Sequence, residues 1–303
     1  MVDIGANLTH KSFNLELDEV VGDFFDKKEF TAIILTGTSI SGSWNAHQIV
    51  NRFRKPLRPH RNIYSTVGIH PHDAKSFNDE AKANLRRYLE FSYVVAVGEC
   101  GLDYNRMRSP KEQQQACFRY QIELAIEKKL PLFLHERDAS EDFLAILDEY
   151  KDELGQINVI VHCFTGNENE VKEYVDRGFY IGITGWISDK RRNKNLLNAV
   201  KHVPLDKVLV ETDSPYLLPR RGKTDRNVPS NLEYVIEDLA SALKLDKELV
   251  KKATIKNSIK VFNLPIDFSV IEGEEASKKE ALRLSAEYES EMPLFTADDF
   301  PAL

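Results

Sequence analysis

Hydrophobic residues along the chain fall in short runs that recur at even intervals. Eight stand out: VDIGANL (2–8), FTAIILTGT (30–38), IYSTVGIH (63–70), VVAVGEC (94–100), PLFLHE (131–136), INVIVHCF (157–164), FYIGITGW (179–186) and VLVETD (208–213). Each is short and more continuous than alternating, as in strands buried on both faces of a parallel sheet. Between them lie segments such as QQACFRYQIELAIEKK (114–129), whose apolar positions recur at helical spacing. Eight strands alternating with helices over about 250 residues predict a (β/α)8 TIM barrel, an α/β fold. An open doubly wound sheet is the alternative, but it rarely needs eight strands at such regular spacing.

After Pro265 the pattern stops. Residues 1–265 are read as one barrel domain, and 266–303 as an acidic, flexible appendage or partner-binding segment with one amphipathic stretch, Lys278–Tyr288. The sequence does not indicate what partner such a tail would take. The tail does account for the net charge of −7, because it holds ten acids against three bases and leaves 38 acidic and 38 basic residues in the body. A neutral body neither supports nor excludes an anionic substrate. No apolar run reaches the roughly 18 residues of a membrane span, so none is expected. The start, MVDIGANLTH, lacks the basic and apolar regions of a secretion signal. Cys100, Cys117 and Cys163 are too few and scattered for a disulfide framework or a zinc knuckle. A cytoplasmic or nuclear protein is therefore expected.

In a parallel barrel the chemistry sits at the C-terminal ends of the strands and in the loops that follow. Those positions hold Asn7 at the end of strand 1, His70 and His72 at the end of strand 3, Glu99 of strand 4, His135 of strand 5, His162 of strand 6 and Asp213 of strand 8. Singly, each has an ordinary explanation. A histidine can be a satisfied polar residue, Glu99 can pair with an arginine, Asp213 can cap a helix and His70-Pro71-His72 can be only a turn. Jointly they are the donors a divalent cation takes, imidazole nitrogen and carboxylate oxygen. A carboxylate following a run as apolar as VVAVG is costly unless it is paired or bound to metal.

The loops expected at the same mouth are basic. They carry Arg106 and Arg108, Arg137, then Lys190, Arg191, Arg192 and Lys194, and finally Arg220, Arg221 and Lys223. Guanidinium groups bind phosphate bidentately, so a phosphate-bearing substrate is expected, with Arg137, Arg191 and Arg192 as contacts.

The segments VDIGANLT, GIHPHD, VGECGLDY, LFLHERDA, VHCFTG, YIGITGW and VETDSPYLL, in this order and spacing, resemble the TatD family of metal-dependent deoxyribonucleases, which are amidohydrolase-like barrels. The resemblance spans about residues 2–264 and leaves the tail outside. It implies divalent-metal hydrolysis of DNA phosphodiester bonds, with DNA as the partner. It also implies that Glu99, His135, His162 and Asp213 bind metal, that Asp213 and Glu99 carry the catalysis, and that His70 stands on the phosphate side. Asp213 would take the proton of the attacking water. Asn7 and His72 are added as substrate contacts by position. Many family members begin strand 1 with a His-x-His pair that binds a second metal, and Gly5 and Asn7 stand there in this chain. One or two ions, magnesium, manganese or zinc, are therefore expected.

An exonuclease is the leading expectation, since a barrel mouth accepts a strand end more readily than a duplex interior. The alternatives are a metal-dependent amidohydrolase, lactonase or aminoacyl-tRNA deacylase, or a non-catalytic nucleic-acid-binding protein that kept the basic loops.

Overall fold

The computed structural model describes residues 1–54, 62–222 and 225–268. All eight apolar runs form strands: β1 (Val2–Ala6), β2 (Ala32–Leu35), β3 (Asn62–Val67), β4 (Val94–Asp103), β5 (Leu132–Arg137), β6 (Val159–Val161), β7 (Tyr180–Ile183) and β8 (Val208–Val210). They pair in sequence order in one eight-stranded sheet, every ladder parallel. The α-helices between and after them are α1 (Leu17–Asp26), α2 (Ile40–Phe53), α3 (Asp79–Tyr88), α4 (Lys111–Lys128), α5 (Ser140–Asp148), α6 (Lys151–Leu154, a single turn), α7 (Glu168–Asp176), α8 (Lys194–Ala199), α9 (Leu232–Leu243) and α10 (Lys247–Val261). The protein is a (β/α)8 barrel.

The barrel closes through a seam rather than a regular ladder between β8 and β1. Beyond β8 the Asp213 N–H donates to the Gly5 carbonyl (2.8 Å), and the Asn7 N–H donates to the Ser214 carbonyl (2.7 Å). Lower in the seam a side chain replaces the backbone acceptor. The fully buried Asp3 carboxylate accepts the Thr212 N–H (2.9 Å) and the Thr212 hydroxyl (2.6 Å).

Helices cover the barrel along apolar stripes. On α9 the residues Leu232, Val235, Ile236 and Leu239 have no exposed surface and fall at the three- and four-residue spacing of one face. The stripe of α4 is unusual in burying two amides beside Phe118, Ile122 and Ala125. Gln114 accepts the Asp103 N–H (2.8 Å), while Gln121 accepts the Ile69 N–H (2.8 Å) and donates to the Ile69 carbonyl (3.0 Å). Two glutamines two helical turns apart thereby hold the ends of β3 and β4 where site residues emerge.

β4 runs further than the apolar run indicates, to Asp103, so Glu99 lies inside the strand rather than at its end. The register against β5 shifts between Gly98 and Cys100, a bulge centred on Glu99. Gly98 and Gly101 flank it with φ of 138° and 137°, and a Cβ at either would collide with the carbonyl of Phe133 or His135 on β5.

Among the described residues no helix is long and apolar enough to cross a membrane. The tail beyond residue 268, with Lys278–Tyr288, and Lys223 lie outside the described residues.

Candidate active site

The bulge of β4 aims Glu99 into the C-terminal mouth, where β3, β5 and β6 each deliver an imidazole. One Glu99 oxygen lies 2.7 Å from His162 Nε2, 3.1 Å from His135 Nδ1 and 3.3 Å from His70 Nε2. Glu99 is 5% exposed and His162 is 4%, so these are contacts without bulk water. Burial alone would push the Glu99 carboxyl up, but His162, His70 and His135 outweigh it and hold it well below the usual carboxylate range. Burial likewise opposes the charge on His162, yet Glu99 and Glu211 raise that imidazole well above its ordinary value. His135 is raised in the same way, with Asp103 and Glu99 overcoming burial.

The three imidazoles are not equivalent. His70 caps the 3-10 turn Pro71–Ser76, and its Nδ1 accepts the His72 N–H (3.0 Å). That pattern assigns the ring proton to Nε2, so His70 donates to Glu99. Burial pushes His70 down to about 4, which leaves it neutral. His162 has the opposite arrangement, with Nδ1 facing Glu211 (3.4 Å) and Nε2 facing Glu99. A carboxylate behind one ring nitrogen, with the other turned into the centre, is how a metal-binding histidine is oriented. His135 Nε2 is buried 3.4 Å from Asp103 Oδ2, out of line for a hydrogen bond, and has no hydrogen-bond partner. Glu99, His70 and His135 offer ligand atoms that all lie within 4.8 Å of one another. An orphaned buried imidazole nitrogen beside an ionised, buried carboxylate fits a divalent cation.

Asp213 extends from the seam on the other side. Its Oδ1 accepts from Asn7 Nδ2 (2.7 Å). Burial, reinforced by Glu99 and Glu211 and opposed by His162 and the Asn7 amide, pushes its carboxyl up to about 7. His72 lies one layer out and meets Asp103 Oδ2 through Nε2 (2.7 Å).

Two carboxylates in this constellation were missed from sequence. Asp103, 2% exposed, stands at the true end of β4 and holds His72 and the Arg106 N–H (2.8 Å). Glu211, fully buried, accepts the Cys163 N–H (2.5 Å) and faces His162. Both lie at the C-terminal ends of their runs, Asp103 in VGECGLDY and Glu211 in VLVETD, where a barrel places its chemistry.

Glu211 also shows why strand 1 lacks a histidine at position 5. A Cβ at Gly5 would overlap the Glu211 carboxylate, and one at Gly182 would come within 2.6 Å of it. The two glycines form the slot that the carboxylate fills. Gly5→Ala is expected to destabilise the protein by about 2 kcal/mol, the usual cost of overpacking, and to loosen His162. Urea unfolding checks this, and an unchanged midpoint would show that the carboxylate is not confined.

The arginines converge in part. Arg192 lies over the Trp186 ring at 4.0 Å and Arg137 at 5.5 Å. Asp189 takes Arg191 in a two-point pair (2.9 Å each), Arg192 at 2.9 Å and Arg220 at 3.7 Å, so three guanidiniums share one carboxylate. Arg221 turns away to Glu237 and Asp238 on α9.

The fold and this site together define a metal-dependent hydrolase barrel. The sequence profile of the TatD related DNase family matches residues 2–263. The chain is 40% identical over 266 residues to the 3'-5' ssDNA/RNA exonuclease TatD of Cronobacter sakazakii, a match covering 86% of this chain and 97% of that protein. The like-named protein of Salmonella typhimurium is 38% identical over 268 residues, covering 87% and 99%. Among solved structures, a hydrolase TatD family protein from Entamoeba histolytica aligns with a TM-score of 0.77 at 26% identity, covering 86% and 97%. A TatD homologue from Escherichia coli K12 aligns at 0.78 with 24% identity, covering 88% and 98%, which shows the shared fold. The chain belongs to the TatD-related DNase family. Membership makes it a metal-dependent hydrolase of the nuclease class and favours that reading over the small-molecule and non-catalytic alternatives.

Proposed function

We propose that this protein is an exonuclease that removes nucleotides from the 3′ end of single-stranded nucleic acid, DNA foremost, with one or two magnesium, manganese or zinc ions. The observation that carries it is the Glu99 carboxylate ringed by three imidazoles at the C-terminal end of the barrel. Glu99, His135, His162 and Asp213 would hold the metal. When bound, it would supply charge neutralisation on the phosphate and a water that ionises near neutral pH.

The other roles belong to the chain itself. Asp213, oriented by Asn7 and with its carboxyl near 7, is suited to take the proton of the attacking water. His70, neutral and protonated at Nε2, can donate to a phosphate oxygen as it donates to Glu99. His72 and Asp103 hold the outer side of the site. Arg137, Arg191 and Arg192, at the end of β5 and in the loop after β7, would contact the phosphodiester backbone, the last two partly neutralised by Asp189.

A single-stranded oligonucleotide labelled at its 5′ end, and its blunt duplex, test the proposal with each metal or a chelator. The expected result is a metal-dependent ladder that shortens from the 3′ end, faster on the single strand. Cleavage that persists in chelator, or internal cuts without a ladder, would overturn it.

A further inference from the structure

The turn after β8 carries an aromatic ring that the folded core does not use. Tyr216 is 51% exposed, and among the described residues it is the only aromatic in the set of exposed large apolar side chains. It stands three residues beyond Asp213, and its N–H donates to the Asp213 carbonyl (3.0 Å). Its backbone is firmly held. Asn227, which has no exposed surface, donates through Nδ2 to the carbonyls of Thr212 (2.8 Å) and Tyr216 (2.7 Å). On the β1 side, His10 meets the ring edge-on, with centroids 5.7 Å apart and planes at 69°. His10 is itself fixed through Nδ1 by the Ser12 hydroxyl (2.9 Å).

The backbone bond to Asp213 places Tyr216 at the reacting end of the barrel. Burial raises the Tyr216 phenol, Asp213 and Glu99 raise it further, and Arg106 and Arg108 oppose them. The ring is thus within electrostatic reach of two site carboxylates and of the β4–α4 loop. Trp186, in the turn after β7, is by contrast already covered by Arg192 and Arg137. An exposed ring on a rigid backbone offers π-face to a partner at little entropic cost, and every nucleobase has a π-face to match.

We propose that Tyr216, braced at its edge by His10, is the stacking platform for the base of the 3′-terminal nucleotide. This rests on the exonuclease reading and deepens it, because the site then selects an end whose last base is unpaired and free to stack. A terminal base pair must open before its base can reach the ring, which disfavours duplex ends.

The test uses wild type, Tyr216→Ala and Tyr216→Phe on two single-stranded oligonucleotides, one ending in an ordinary nucleotide and one in an abasic residue. On the ordinary end, Tyr216→Ala is expected to raise KM about tenfold, while Tyr216→Phe stays near wild type. On the abasic end the wild type is expected to lose the same factor, and the three proteins become alike. An equal loss for Tyr216→Ala on both ends, or no loss on either, overturns the proposal while the exonuclease stands. Wild type that cleaves neither oligonucleotide overturns both.

Discussion

Replacing Glu99 by glutamine is expected to lower kcat/KM for metal-dependent cleavage by about 10³-fold or more, since several kcal/mol of metal-derived stabilisation is lost. The substitution keeps shape and volume, so a large effect reports charge. One Glu99 oxygen is shared by three imidazole nitrogens within 3.3 Å. Without its negative charge, His162 and His135 keep only Glu211 and Asp103 as anionic neighbours, and a cation brought there loses the one carboxylate oxygen that the imidazoles share. Both histidines can discharge by losing their protons, so the fold is expected to survive. Thermal unfolding separates site from fold. The wild-type midpoint is expected to rise when metal is added, by mass action, and the variant's to stay where it is. A variant that cleaves normally would remove Glu99 from the centre altogether.

The second large effect is on metal affinity, which is expected to fall steeply as pH drops below about 7. His162 and His135 are raised and Asp213 is pushed to about 7, so the metal-free centre holds protons at neutral pH. A cation needs these groups deprotonated, and every proton it must displace costs about tenfold in affinity per pH unit below that group's pKa. Where more than one of these groups is protonated the losses multiply, and they fade as pH rises through the pKa values. The sign follows from the raised pKa values: acid favours the protonated, metal-free form. Calorimetric titration of the metal in buffers of different ionisation heat measures the protons released. Release of none at neutral pH would show that the centre is not proton-loaded.

The strands were legible because a barrel buries them on both faces, and burial on both faces writes continuous apolar runs. For the same reason the polar residues that follow those runs, Asn7, His70, His135, His162 and Asp213, stood out as site candidates. Glu211 follows the same kind of run, but a carboxylate inside VLVETD has no local mark of being packed against a distant histidine.

What depends on neighbours distant in sequence could not be read in this way. Glu99 reaches the centre through a bulge that exists because Gly98 and Gly101 let β4 pass close to the carbonyls of Phe133 and His135. Asp103 gains its role from His72, contributed by the preceding loop, and Arg221 leaves the mouth because Glu237 and Asp238 on α9 draw it off. The glycine at position 5 is plain in the sequence, yet its reason lies over two hundred residues away, in the Glu211 carboxylate that fills its space. Hydrophobic periodicity is a local property that specifies which segments become strands and which ends they share. Charge pairing and steric exclusion act across the barrel, and they appear only when those ends are brought within a few ångströms of one another.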